Sequence, residues 1–102
     1  MREKAREIAE LMRLMANENR LLILCALLEG PMTVSELSCE VKDISLSALS
    51  QHLQKLRASD LIASEKRGQY VTYSLKDQRL RSLIAVLKQE YCGEFFGEID
   101  RP

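Results

Sequence analysis

No apolar run in this chain is long enough to cross a bilayer. The longest, Leu21 to Leu28, has eight residues, whereas a membrane-spanning helix needs about 20. The opening "MREKAREIAE" scatters charge along its whole length and has none of the apolar core of a secretory signal. A cytoplasmic protein with no membrane partner is therefore expected. Net charge is missing as well, since 15 basic groups balance 15 acidic ones, and the chain as a whole has no general attraction for nucleic acid. Three cysteines are an odd number and make no disulfide framework, leaving packed thiols, metal ligands or redox groups. Repeats, linkers and low-complexity tracts are absent, so residues 1–102 read as a single domain. There is no phosphate-binding loop and no carboxylate pair in an apolar frame. The one histidine, His52, belongs on the outward flank of a helix, away from Cys25. Neither an enzyme nor a cofactor is expected.

What is present is apolar residues in helical register. They make up 46% of 102 residues, a generous share for a domain that buries only about 60–65% of its unfolded surface. A homodimer interface is a natural outlet for the surplus. Charge is also unevenly spread. Residues 1–41 hold five basic and seven acidic groups, residues 42–81 hold eight and four, and residues 82–102 hold two and four. Only the middle of the chain is basic.

The periodicity predicts a first helix over 3–16, with Ala5, Ile8, Ala9, Met12, Met15 and Ala16 on one face. Leu11 and Leu14 lie off that face and imply a second contact surface. Asn17 caps a second helix, "ENRLLILCALLE", apolar nearly all round and ended by Gly30-Pro31, where Gly can take the left-handed cap and Pro cannot continue the helix. Thr33 and Glu36 form a capping box that opens a short third helix to Val41. "KDI" turns the chain, and Ser45 caps a fourth helix. Beyond Asp60, two β-prone runs flank Arg67-Gly68-Gln69 and read as a hairpin. Asp77 caps a last helix with Leu80, Leu83, Ile84, Leu87 and Tyr91 on one face, ended by Gly93. The expected fold is mainly α with a small β-hairpin, a winged helix-turn-helix in the order α-α-α-α-β-β-α.

The fourth helix carries the functional signal. Leu46, Leu49, Leu53 and Leu56 form its buried stripe, and Ser47, Ala48, Gln51, Gln54 and Lys55 face the other way, flanked by Ser50 and His52. No carboxylate falls on that outer face, which suits a neighbour made of phosphates. In a helix-turn-helix this helix enters the DNA major groove. Gln51 pairs bidentately with adenine, the Ala48 methyl meets thymine, and Ser47 donates or accepts. Ser50, His52 and Lys55 are placed for the phosphate backbone. Lys66, Arg67 and Gln69 at the hairpin tip reach phosphates or the minor groove. The alternative for such a module is protein contact without DNA.

With these residues in hand, the chain resembles the ArsR family of bacterial winged-helix repressors over nearly its whole length. The matching pieces are "LMANENRLLILCALLEG", "TVSELS", "LSALSQHLQKLRASDLI" and "KRGQYVTYSL". The resemblance implies a homodimer joined by first and last helices, a double-stranded operator with imperfect palindromic symmetry, and release by an inducer. Many members sense metals, but their ligands are not matched here. Thr33-Val34-Ser35 stands where one metal site has Cys-x-Cys, and Asp77-Gln78-Arg79 begins the last helix with no histidine after His52. No metal site is therefore expected, save an arsenite-type thiol arrangement as an alternative. Cys25 and Cys92 resemble the pair of the persulfide-responsive subgroup represented by BigR and SqrR. That implies reactive sulfur species as inducer, with a general thiol oxidant as the other option. Cys39 is not part of the pattern.

Overall fold

The structure, a computed structural model, describes residues 1–92. Five helices and three short strands follow in order: α1 (Arg2–Met15), α2 (Glu18–Leu27), β1 (Met32–Thr33), α3 (Val34–Glu40), α4 (Leu46–Ala58), β2 (Ile62–Arg67), β3 (Tyr70–Leu75) and α5 (Gln78–Cys92). The helix starts follow from local chemistry. Asn17 Oδ1 accepts from the backbone N–H groups of Asn19 and Arg20, at 3.0 and 3.1 Å. Thr33 Oγ1 accepts from Glu36 N at 3.2 Å while Glu36 Oε1 accepts from Thr33 N at 2.9 Å, the reciprocal pair of a capping box. Ser45 Oγ accepts from Ala48 N at 3.0 Å, and Asp77 Oδ1 accepts from Arg79 N at 2.7 Å. The Arg79 side chain hydrogen-bonds the same carboxyl and holds Asp77 below its ordinary pKa, so that cap stays ionised. A Thr33→Ala chain should lose about 1 kcal/mol of stability, read as a lower midpoint in urea. No change would mean that α3 does not depend on its cap.

One element was not foreseen. β1 pairs antiparallel with β3, Met32 opposite Tyr73 and Thr33 opposite Thr72, so the hairpin is two strands of a three-stranded sheet ordered β1-β3-β2. Two residues are too few to show an alternating pattern. The strand exists because β3 offers it an edge. The wing closes in two residues: Arg67 pairs with Tyr70 and Gly68 takes φ +62°, a backbone region that glycine enters at no steric cost. Gly30 also has positive φ, at 144°, which is not the left-handed helical cap expected there.

The core gathers Ile23, Leu24 and Leu27 of α2, Leu37 of α3, Leu49, Leu53 and Leu56 of α4, Ile62 of β2 and Ile84 of α5, all at most 1% exposed. α2 is thus the central helix, as its all-round apolarity requires. Three expectations about buried faces fail for one reason: periodicity gives the direction of a side chain, not how far its neighbours extend. Leu46 points along the core stripe but stands past the edge of the core and is 62% exposed; Tyr91 is 84% exposed near the far end of α5. On α1 only Met15 is buried, with Leu11 and Leu14 packed beside it, while Ile8 and Met12 remain about half exposed. The expected end at Gly93 and the Phe95-Phe96 tail lie outside the described residues. No helix among those described is long and apolar enough to cross a membrane.

Candidate nucleic-acid interface and thiol pair

α3 and α4 are joined by a tight turn in which Asp43 adopts φ +69°, a conformation Asp tolerates better than most residues. This turn, with the Ser45 cap, orients α4. The sequence reading of its outer face holds. Ser47, Gln51, Gln54 and Lys55 are exposed, and Ala48, Ser50 and His52 are half-buried at its borders. No carboxylate interrupts α4 from Leu46 to Ala58. Beyond the end of α4, β2 leads out to the wing, where Lys66, Arg67 and Gln69 are all exposed. Arg67 Nε lies 3.3 Å from Glu65 Oε2 in an exposed pair, the kind that contributes little and exchanges readily for a phosphate.

Three residues that the sequence reading did not place here adjoin this surface. Leu46 occupies the first turn of α4 as an exposed apolar group. Tyr70 closes the wing turn and is 63% exposed; its place directly after Gly68-Gln69 was the available signal. Arg20 was hidden because its contact spans 32 residues: its Nε donates to His52 Nδ1 at 3.3 Å. His52 is therefore not a free flank residue but is tied to α2.

The thiols occupy a different region. Cys25 is half-buried on α2, and Cys92 is exposed at the end of α5. Burial pushes the Cys25 thiol above its ordinary value, the Lys88 ammonium pulls it partly back, and the nearby Cys92 raises it again. Each thiol thus lies within electrostatic reach of the other, although they are far apart in the chain. α2 and α5 are also fastened at their surfaces. Lys88 Nζ lies 2.9 Å from Glu29 Oε2, and Arg81 Nη1 donates to the Leu28 carbonyl at 3.4 Å. Cys39 is apart from both, exposed beside Pro31, Met32, Glu36 and Glu40. Among the described residues no three His, Cys, Asp or Glu side chains converge to hold a metal ion.

A third surface is a groove of about 570 Å³ between the exposed side of α1 and the start of α5. Ile8, Leu11, Met12, Leu61, Leu80 and Leu83 line it together with the charged Lys4, Glu7, Asp77 and Arg79.

The chain as a whole has counterparts among known proteins. A family profile described as "Bacterial regulatory protein, arsR family" matches residues 17–64, from the α2 cap into β2. The chain is 40% identical over 92 residues to the transcriptional activator HlyU of Vibrio cholerae, covering 90% of this chain and 84% of that protein. The structure of reduced HlyU superposes with a TM-score of 0.84 over 90% of this chain and 96% of the other. The regulator YgaV of Escherichia coli is 37% identical, covering 90% and 93%. The transcriptional repressor BigR of Xylella fastidiosa is 29% identical and superposes with a TM-score of 0.82, covering 90% and 93%.

Proposed function

Since this chain belongs to the arsR family of bacterial regulatory proteins, which are DNA-binding regulators of transcription and not enzymes, we propose that it is a homodimeric repressor released from its operator by reactive sulfur species acting on Cys25 and Cys92. Residues 1–102 form one winged helix-turn-helix unit in this reading, paired with a second copy through α1 and α5. The observation that carries the DNA contact is the carboxylate-free face of α4 beside a basic wing. Gln51, Ala48 and Ser47 read base edges, while Ser50, His52, Lys55, Lys66, Arg67 and Gln69 hold the backbone and set the register. A two-fold dimer makes the operator an imperfect palindrome with half-sites about one helical turn apart.

Burial and exposure divide the labour between the thiols. Cys92, open to solvent, attacks the sulfane sulfur of a persulfide or polysulfide, and a thiolate leaves. Cys25 is more shielded and its thiol is pushed up by burial, which suits the resolving role. Where Cys92 has accepted two sulfane sulfurs, the Cys25 thiolate attacks the inner one and hydrosulfide departs. One sulfur then remains between the two cysteine sulfurs, with no outside oxidant needed. Each further sulfur accepted lengthens the bridge by one, up to spans a direct disulfide does not reach. Such a bridge pulls on the α2–α5 packing and, through α2, on α4.

A coupling of about 1–3 kcal/mol corresponds to an operator affinity roughly 5- to 150-fold weaker after persulfide treatment. Cys25→Ser and Cys92→Ser chains should show no such loss, and Cys39→Ser should behave as the parent does. Mass spectrometry after persulfide, peroxide and arsenite in parallel identifies the inducer class. A Cys25–Cys92 cross-link carrying added sulfur, formed only with persulfide, supports this reading. If both serine variants let go of DNA as readily as the parent, the thiol switch is wrong.

A further inference from the structure

We infer that Arg20 is the positioning residue for His52: it fixes the imidazole proton on Nε2, so that α4 presents a hydrogen-bond donor to the duplex. The inference rests on α4 being the DNA-facing helix. Arg20 and His52 meet where α2 packs against α4, with Arg20 Nε 3.3 Å from His52 Nδ1. A guanidinium has five N–H donors and no acceptor, so Nδ1 must supply the lone pair. A neutral imidazole that accepts at Nδ1 carries its proton on Nε2. Phosphate oxygens and the O6 and N7 atoms of guanine only accept. An imidazole turned to them with a lone pair outward would repel them, whereas Nε2–H can bond to them.

The guanidinium is itself held in place. Its Nη1 donates to the Leu14 carbonyl at 3.2 Å, and the Arg20 backbone N–H is bound by Asn17 Oδ1 at 3.1 Å. Arg20 therefore links the last turn of α1, the cap of α2 and the flank of α4. Lysine, with a single point charge on a flexible stem, has no second arm with which to reproduce this hold.

His52 is the only histidine, so ¹⁵N-histidine labelling reports one imidazole without assignment work. At pH 8, without DNA, the wild-type chain should show a protonated Nε2 and an unprotonated Nδ1, and Arg20→Met should let the proton distribute over both nitrogens. Operator affinity is read on a duplex that the wild-type chain has enriched from a random-sequence library. There Arg20→Met should weaken binding about 10²-fold or more, since one hydrogen bond to a charged group is lost in each half of a two-fold complex. His52→Gln offers an amide N–H near the position of Nε2–H and has no need of Arg20. In that background Arg20→Met should cost less than about twofold, while His52→Asn, whose shorter amide can meet Arg20 near the position of Nδ1 but does not reach that of Nε2–H, should lose as much as Arg20→Met.

A proton on Nδ1 in the wild type, or a distribution unmoved by Arg20→Met, overturns the assignment. So does an equal loss from Arg20→Met in the His52→Gln background, which would make Arg20 itself the phosphate contact. Should Arg20→Met not fold, the wild-type spectrum still decides where the proton sits. Failure to enrich any duplex would instead sink the DNA-facing role of α4, a separate result from the DNA-free spectrum.

Discussion

A chain carrying Ile8→Asp and Met12→Asp should elute as a monomer and bind its operator about 10²- to 10⁴-fold more weakly than the parent, the range by which linking two sites raises avidity. Both residues line the α1–α5 groove and are 49% and 46% exposed in the single chain. Their replacement therefore removes little from the core of one subunit. A charge at each would have to be desolvated for a second copy to cover the groove, and buried charges without partners are strongly unfavourable. Two of the large apolar side chains left exposed, Ile8 and Met12, thus lie in a groove that belongs to the two elements expected to join the copies. Light scattering gives the mass and fluorescence anisotropy the affinity, while circular dichroism verifies that the helices persist. A variant that stays dimeric would place the seam elsewhere.

Replacing Gln51 by alanine has a comparably large consequence. A bidentate side chain on a base edge is worth about 1–3 kcal/mol of discrimination. In a two-fold complex each substitution acts twice, giving a loss of roughly 2–6 kcal/mol, or about 30-fold to 10⁴-fold. Gln51→Glu should be worse still, because it puts a carboxylate on the face that has none. Lys55→Ala should behave differently: it weakens all sequences alike and flattens the salt dependence by about one unit for each phosphate no longer neutralised. Titrations of operator and scrambled duplex at two salt concentrations separate the two behaviours. If Gln51→Ala binds the operator within about twofold of the parent, Gln51 does not read a base.

Features decided by neighbouring residues were readable in advance. The caps at Asn17, Thr33, Ser45 and Asp77 fall where expected because a cap is chemistry between groups two or three positions apart. The outer face of α4 was legible too, since one helix period specifies it. What escaped depends on another part of the chain. β1 needs the edge of β3, Leu46 and Tyr91 are exposed because the core stops short of them, and the Arg20–His52 contact needs α2 and α4 side by side. The thiols lie between these cases. Cys25 alone reads as a small packed hydrophobe and Cys92 as an accessible thiol near a helix end; the family resemblance sets them side by side in the sequence reading, and the contact of α2 with α5 brings them near each other.

Thr33 has two duties: it caps α3 and pairs with Thr72 in the inner strand of the wing. The hairpin is thereby fastened at its root to α3, the helix that leads into α4. If that tie fixes the spacing between the hairpin tip and α4, a duplex that meets both would have to bend or narrow to fit. The energy of that distortion varies with base-step stiffness, so operators would be sorted partly by suppleness at steps that no side chain reaches.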